Sequence, residues 1–499
     1  MLNHNRPLVL VVAGLDSSGG AGISADCISV HDNYAFAMPC VSALTCQSLK
    51  QITKVVPTDE DTFRQTLELA YTDSTKISAI KVGLISDSRL LEILLEYLET
   101  KFKDIPVVWD PVLCGTAGDL HSVNLKEYLP RILKHTTIFT PNLPEALTLA
   151  SMDDDDLSDD KIKSLQQYFL SLGAKAVVIK GGHNFENFDA VDYFASNEFT
   201  FKLNSNRVEG LGAHGGGCAL SSALAALLAN DFALHDAMVL AKAYVYKGIV
   251  LPDVKTDENT MLRPPVGHHG SVSEIDYFPS VYEEGFPDYS PQFAPCPLKL
   301  GLYPVVDSYE WVVRLVNLGV KTIQLRIKDT TRSDLFDEIK KTCDFCNEKK
   351  VRLFIDDHYE MAIAAHAYGV HLGMEDLKTA NLDLINQAGL RLGVSTHGAY
   401  EMLKALQLQP SYIALGHIYP TNSKKMPSKP QGAFKLALLQ KIIGDFMPTV
   451  AIGGIKLFNV QEVLDSKVGS VALITGITKA DDPDETCAIW LKLCGQGDD

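Results

Sequence analysis

Residues 300–357 read LGLYPVVDSYEWVVRLVNLGVKTIQLRIKDTTRSDLFDEIKKTCDFCNEKKVRLFIDD, and this stretch decides the fold of the C-terminal half. Three short apolar runs, 300–306, 322–326 and 352–355, alternate with segments of helical length such as 333–349. Runs of this kind, apolar on both faces, are the signature of parallel strands covered by helices. The unit continues at 369–371, 391–395, 412–416, 449–452 and 470–474. Eight strand–helix units in fewer than 200 residues predict a small (β/α)8 TIM barrel. Nearly every run ends in polar residues: Gln324 and Arg326, Asp356 and Asp357, His371, Ser395, Gly453 and Gly454, Thr475. Barrels build their active sites at those C-terminal strand ends, so the placement points to a catalytic face.

Upstream, apolar runs at 8–13, 77–84, 107–110, 137–140 and 176–180 alternate with helix-sized segments at 62–71, 90–101 and 161–172. This predicts a three-layer α/β/α domain around a mostly parallel sheet. Residues 192–200 read as a local hairpin. Between 261 and 297 stand seven prolines, which lock φ and remove backbone donors. The expected division is therefore a first domain 1–263, a proline-rich linker 264–297 and a barrel 298–499. The linker aromatics, Tyr277, Phe278, Tyr282, Phe286, Tyr289 and Phe293, are expected to lie against a domain surface.

The chain has 499 residues, is 46% hydrophobic and carries a formal charge of −17. That composition suits large buried cores, and the acidity disfavours nucleic acid and anionic membranes as main partners. The ten cysteines are scattered, which excludes a small disulfide scaffold. Cys343 and Cys346 fall within a helical pattern and read as two buried thiols. No secretory signal pattern or apolar stretch of transmembrane length stands out, so a cytoplasmic protein is expected.

Several patterns carry chemistry on their own residues. Gly14-LDSSGGA-Gly22 follows the first strand, and Gly210-LGAHGGG-Cys218 opens a long Ala/Leu helix. Glycines let the backbone approach a ligand, and N–H groups at a helix start form an anion hole suited to phosphoryl transfer. Gln324, Arg326 and Lys328 alternate along a strand, so an amide, a guanidinium and an ammonium share one face, apt for diphosphate. Asp356-Asp357 and Glu375-Asp376 supply carboxylates at neighbouring strand ends, a donor set for Mg²⁺, with helix capping as the plainer alternative. The glycines after the seventh strand and Ile474-Thr475-Gly476 occupy the usual barrel phosphate position. The lysine-rich loop 419–432 suits a lid over anions.

These motifs resemble two families. GLDSSGGAGISAD, DPVL, TPNLPEA, KGGH and HGGGCALSSALAA, in order over residues 7–265, are similar to the hydroxymethylpyrimidine and phosphomethylpyrimidine kinases of the ribokinase-like superfamily. YPVVD, QLRIKD, DDHY, GVHLGMEDL, RLGVSTH, YIALGHIYPT and VAIGGI, over 300–478, resemble thiamine-phosphate synthase. The first resemblance implies ATP as co-substrate, Asp16 and Gln47 on the pyrimidine, and Asn142 and Glu145 in the Mg²⁺–nucleotide region. It also implies Lys180, Gly215 and Gly217 at the phosphates and Cys218 as the catalytic thiol. The second implies Gln324, Arg326 and Lys328 on the pyrimidine diphosphate, with Arg326 and Lys328 catalytic, and Asp356 beside them. It places Mg²⁺ on Asp357 and Asp376. Ser395, Thr421, Ser423 and Lys424 would meet diphosphate or lid, and Gly454, Ile474 and Thr475 the thiazole phosphate.

Four positions depart from the families. Ala213 and Gly216 stand where threonines are usual, Ala117 where serine is common, and Asp356 where asparagine is common. The implied protein is a bifunctional enzyme of thiamine biosynthesis acting on small molecules, with a homo-oligomer left open. A degenerate kinase beside a working synthase, a non-catalytic precursor-binding protein and a pyridoxal-type kinase are the alternative readings.

Overall fold

The computed structural model describes residues 5–72, 76–115, 118–119, 123–153, 158–182, 189–208, 213–254, 263–287, 291–421 and 428–496. The described chain falls into two compact units, divided between Glu284 and Gly285.

The first unit runs β1 (Leu8–Asp16), α1 (Gly22–Asp32), β2 (Phe36–Gln47), β3 (Ile52–Pro57), α2 (Glu60–Thr72), β4 (Ile77–Val82) and α3 (Ser88–Thr100). It continues with β5 (Val107–Trp109), the short hairpin β6 (Cys114–Gly115) and β7 (Gly118–Asp119), α4 (Leu125–Lys134), β8 (Ile138–Phe139), α5 (Leu143–Ala150) and α6 (Asp159–Ser171). It closes with β9 (Ala176–Lys180), β10 (Asp189–Ser196), β11 (Thr200–Asn206), α7 (Gly216–Ala229), α8 (Leu234–Val250) and β12 (Ser280–Tyr282).

Ten of these strands form one sheet in the order β12-β11-β10-β9-β8-β5-β4-β1-β2-β3, parallel from β9 to β2 and antiparallel at both edges. Val9 to Val12 of β1 are fully buried, as a central parallel strand requires. Leu10 and Val12 face a core shared with α2 to α6. The alternate residues face the other side, where α1, α7 and α8 pack together. The sheet is thus covered on both faces. The pair β2–β3 was not legible in the sequence: Pro39 and alternating exposed residues hide β2 from a search for apolar runs.

The proline-rich segment is not a bare linker. Val266 N donates to His214 O, His214 N to Pro264 O, and Gly267 N to Gly248 O. Residues 280–282 then add β12 to the sheet edge. Beyond Glu284, Phe293 and Cys296 are buried against the barrel, and Ser411 Oγ and Arg391 Nε donate to the carbonyls of Ala294 and Pro295. Prolines here end regular elements without preventing packing. Tyr289 lies outside the described residues. A fragment 1–284 is accordingly expected to melt several degrees higher than 1–265, which lacks the Gly267–Gly248 bond and β12. Differential scanning calorimetry of the two fragments checks this, and equal melting points would show that the segment adds no stability.

The second unit is the expected closed barrel of eight parallel strands, β13 (Gly301–Val306), β14 (Thr322–Leu325), β15 (Arg352–Asp356), β16 (Gly369–Leu372), β17 (Arg391–Thr396), β18 (Tyr412–Leu415), β19 (Thr449–Ile452) and β20 (Ser470–Leu473). The helices α9 (Tyr309–Asn317), α10 (Leu335–Glu348), α11 (Tyr359–Ala364), α12 (Leu382–Gln387), α13 (Ala399–Gln407), α14 (Gly432–Ile443), α15 (Val460–Asp465), α16 (Thr475–Thr478) and α17 (Pro483–Cys494) accompany them. Cys343 and Cys346 are buried on α10, in keeping with the helical pattern. Tyr303, Phe354 and Tyr412 fill the barrel interior with Ala414, Val450 and Ala472. Two residues beyond Phe354 on β15 comes Asp356, and His371 pairs with it on β16, so a polar layer lies above the aromatic one.

Candidate active sites

In the first unit the two glycine-rich loops lie against each other. Gly215 has φ +82°, and a Cβ there would stand 1.9 Å from Gly20 O. Gly22 likewise leaves no room beside Gly14 O. Glycine is required at both, because the backbones touch. The loop 14–22 brings Asp16, at the end of β1, to His214: Nε2 lies 2.9 Å from Oδ2. Ser18 donates to Asp16 through its N–H and its hydroxyl. Burial opposes ionisation of Asp16, but these hydrogen bonds outweigh it and hold the carboxyl below its usual range. Gln47 closes β2 beside this loop, its backbone bonded to Ser17 Oγ.

Lys180, at the end of β9, pairs with Asp110 at 2.8 Å, and both stand where a Cβ on Gly217 would point. Burial works against the Lys180 ammonium, but Asp110 and Glu145 more than offset it. Asn142 and Glu145 form a reciprocal capping box at the start of α5. Glu145 thus has a structural task besides its place near Lys180. Burial pushes its carboxyl up to about 7, with Lys180 opposing and Asp110 adding.

Cys218 lies in the first turn of α7. Aligned N–H groups at a helix start favour a thiolate, but they do not prevail here. Burial pushes the thiol up to about 12; Asp26 and Asp110 add to this, against the opposing charge of Lys81 and a hydrogen bond from Gly22 N–H. Burial outweighs the helix start and holds Cys218 as a neutral thiol.

Sequence reading missed Lys81 and Asp26. They are a fully buried pair at 2.7 Å, with Ser222 of α7 donating to the second Asp26 oxygen. Burial disfavours the Lys81 ammonium, yet Asp26 holds it protonated. Lys81 sits inside a strand pattern, where nothing local announces a charge partner. Asp110 was visible only as the first letter of DPVL, and His214 only within HGGGC. Ala117 and His183 lie outside the described residues.

Gly216 differs from its neighbours. A Cβ there meets only Val245 and Val266, at 3.9 and 4.0 Å. Gly216→Thr is therefore expected to fold and to change kinase turnover by less than about tenfold, ~1.4 kcal/mol. Steady-state kinetics on that variant would reveal a degenerate kinase if a silent wild-type domain became active.

In the barrel, β14 ends at Leu325, so the strand-face argument does not extend to Lys328, which is exposed. Arg326 N still donates to Val306 O, and its Nε pairs with Asp356 Oδ2 at 2.8 Å. Gln324 Nε2 donates to the other Asp356 oxygen. Asp356 is thus the counter-ion of Arg326 and the hydrogen-bond acceptor of Gln324, the two groups assigned to the pyrimidine diphosphate. Burial, reinforced by Asp357 and opposed by Arg326, pushes its carboxyl up to about 7. Asp357 is raised too, by burial and then by the charge of Asp376. Asp357 and Asp376 are hard oxygen donors close enough for the charge of one to act on the other, the donor chemistry that Mg²⁺ takes.

Gly454 has φ +66° and lies against the carbonyls of Tyr419 and Pro420. Ile474 and Thr475 begin α16 after β20. Thr421 is described and Ser423 and Lys424 are not, so the middle of the proposed lid, 422–427, lies outside the described residues. Ser395 is hydrogen-bonded to His371, a residue the sequence placed at a strand end without a role.

Asp356 gives a pH prediction. A carboxyl whose folded pKa exceeds its unfolded one loses stability as pH rises from about 4 through about 7. In Mg²⁺-free buffer the melting temperature of Asp356→Asn should gain on wild type across that interval. Parallel pH profiles would contradict the raised pKa.

Comparison with known proteins finds relatives for each of the two units. Residues 16–260 match the profile of the family Phosphomethylpyrimidine kinase, and residues 302–477 that of Thiamine monophosphate synthase. The thiamine-phosphate synthase of Cronobacter sakazakii is 52% identical over 210 residues, 42% of this chain and all of that protein. That of Proteus mirabilis is 56% identical over 201 residues, 40% of this chain and 93% of that protein. The structure of a pyridoxal kinase from Staphylococcus aureus in complex with ADP is similar at 26% identity and TM-score 0.50, covering 56% of this chain and 98% of that one.

Proposed function

We propose a division of labour for a chain that belongs through its barrel to the thiamine-phosphate synthases and through its first domain to the phosphomethylpyrimidine kinases. It is a bifunctional transferase of thiamine biosynthesis. The first domain uses ATP to convert hydroxymethylpyrimidine to its phosphate and then its diphosphate. The barrel joins the diphosphate to thiazole phosphate, giving thiamine phosphate and diphosphate.

The observation that carries the residue-level reading is the polar layer at the barrel mouth: Gln324 and Arg326 on Asp356, beside the Asp357–Asp376 pair. On arrival of the pyrimidine diphosphate, Arg326 exchanges the Asp356 carboxylate for the leaving group. Being held already in the mouth, it stabilises the departing charge at little reorganisation cost. Asp357 and Asp376 would hold Mg²⁺, which supplies further neutralisation of diphosphate oxygens. Gln324 would orient the pyrimidine, and the Gly454 and Thr475 amides would receive the thiazole phosphate.

In the first domain Asp16, fixed as a carboxylate by His214 and Ser18, would accept hydrogen bonds from the pyrimidine with Gln47 beside it. Lys180 and the N–H groups of α7 at Gly215 and Gly217 would face the transferring phosphoryl group. Cys218, as a neutral thiol, would complete that anion hole as a weak donor.

One coupled assay tests the whole reading. Hydroxymethylpyrimidine, ATP, Mg²⁺ and thiazole phosphate should yield thiamine phosphate, and preformed pyrimidine diphosphate should yield it without ATP. Product only from the preformed diphosphate would make the kinase degenerate. No product in either case would leave a precursor-binding protein.

A further inference from the structure

A buried chain of hydrogen bonds crosses the barrel interior beneath the mouth. Tyr303 Oη lies 2.8 Å from Tyr412 Oη, Tyr412 Oη 2.7 Å from His371 Nδ1, and His371 Nε2 2.7 Å from Ser395 Oγ. Tyr303, Tyr412 and His371 are 1%, 0% and 7% exposed. The room for this chain is provided by Gly393, where a Cβ would stand 2.2 Å from Tyr412 Cζ and 2.4 Å from its hydroxyl. The imidazole also stacks on the Tyr412 ring at an interplanar angle of 19°.

Every member can donate or accept, so the direction of the protons is set at the closed end. Among the described residues the hydrogen-bond partner of Tyr303 Oη is Tyr412, and Tyr303 belongs to a core cluster with Cys296, Leu300 and Phe354. Were the chain directed inward, the Tyr303 proton would be buried without an acceptor, at a cost of ~1–3 kcal/mol. Directed outward, every proton is used. Tyr303 donates to Tyr412, Tyr412 donates to Nδ1, and the proton on Nε2 is donated to Ser395 Oγ. Burial keeps both phenols protonated, in accord with this order. The tautomer of His371 follows from the network rather than from a visible hydrogen.

We propose that His371, backed by Tyr412 and Tyr303, is a positioning residue that makes Ser395 an obligate outward donor toward an anionic oxygen in the barrel mouth. The inference rests on the reading that Ser395 meets the diphosphate. With its oxygen occupied by the Nε2 proton, the Ser395 hydroxyl is oriented before the leaving group develops charge, where a fixed donor is most effective.

The test is synthase kinetics with preformed pyrimidine diphosphate on the full chain, with the thermal transition of each variant as folding control. Ser395→Ala should lower kcat roughly 10²-fold, the scale of one lost oxyanion donor. His371→Leu should lower kcat by about tenfold or more with KM for thiazole phosphate unchanged, and His371→Gln, which can still donate to Ser395, should recover most of it. In the Ser395→Ala background His371→Leu should add less than about threefold, because its effect runs through the missing hydroxyl. Equal losses in both backgrounds, or a glutamine variant no better than leucine, would overturn the proposal. Should His371→Leu fail to fold, Tyr412→Phe removes a single oxygen and is read by the same cycle. Wild-type turnover in Ser395→Ala would instead refute the premise that Ser395 meets the diphosphate.

Discussion

Arg326→Ala is expected to lower synthase kcat on the order of 10³-fold, ~4 kcal/mol of transition-state stabilisation, while kinase turnover stays at the wild-type level. Arg326 stands at the barrel mouth with its guanidinium on Asp356 at 2.8 Å. The truncation therefore acts twice: the leaving diphosphate loses a preorganised cation, and Asp356 is left without its main counter-ion beside Asp357 and Asp376. Arg326→Lys keeps the charge but loses the fork that meets two oxygens, so it should recover only about tenfold. The measurement is both partial reactions on both variants. Full synthase activity in Arg326→Ala would remove the guanidinium from the mechanism and with it the assignment of the diphosphate site.

Cys218→Ala is the converse experiment, expected to cut phosphoryl transfer roughly 10²-fold and leave the synthase untouched. Burial, with the charges of Lys81, Asp26 and Asp110 acting on it, pushes its thiol up to about 12, so at neutral pH it acts as a donor and not as a thiolate. Two further results follow from that state. At pH 8 alkylation of Cys218 should run on the order of 10³-fold slower than that of an ordinary thiol, because the thiolate is the nucleophile. Cys218→Ser, which keeps a donor of similar size, should retain more activity than alanine. Unchanged kinase activity in Cys218→Ala would reduce the thiol to packing in an Ala/Leu helix. Rapid alkylation together with an inactive serine variant would restore the thiolate reading.

Several features of the sites were legible because they are local. The glycines of HGGGC and GLDSSGGAG announce close backbone approach by their spacing alone, and Gly215 and Gly22 bear this out with positive φ and no space for a Cβ. The carboxylates of DD and ED were visible as strand-end residues for the same reason. Asp356 and Arg326 were both named as site residues, but their pairing was not. Each was assigned to the substrate, whereas they neutralise one another across adjacent strands in the ligand-free protein. The proline-rich segment was read as a linker because proline reports on φ and donors, which say nothing of how far its backbone bonds to the elements beside it.

What the sequence by itself determined is the order and type of the main elements: eight buried strands of a barrel, a parallel sheet before it, and polar residues gathered at strand ends. Those follow from apolar period and from residues a few places apart, which is the range over which backbone geometry repeats. What only the tertiary structure decided is which charges and protons meet. Asp26 is joined to Ser222 across 196 positions and to Lys81 across 55; Tyr412 reaches Tyr303 across 109 and His371 across 41. A buried lysine, a neutral thiol and a directed chain of hydroxyls owe their states to desolvation and to partners brought from distant strands, and neither desolvation nor those partners is encoded in any local window of the chain.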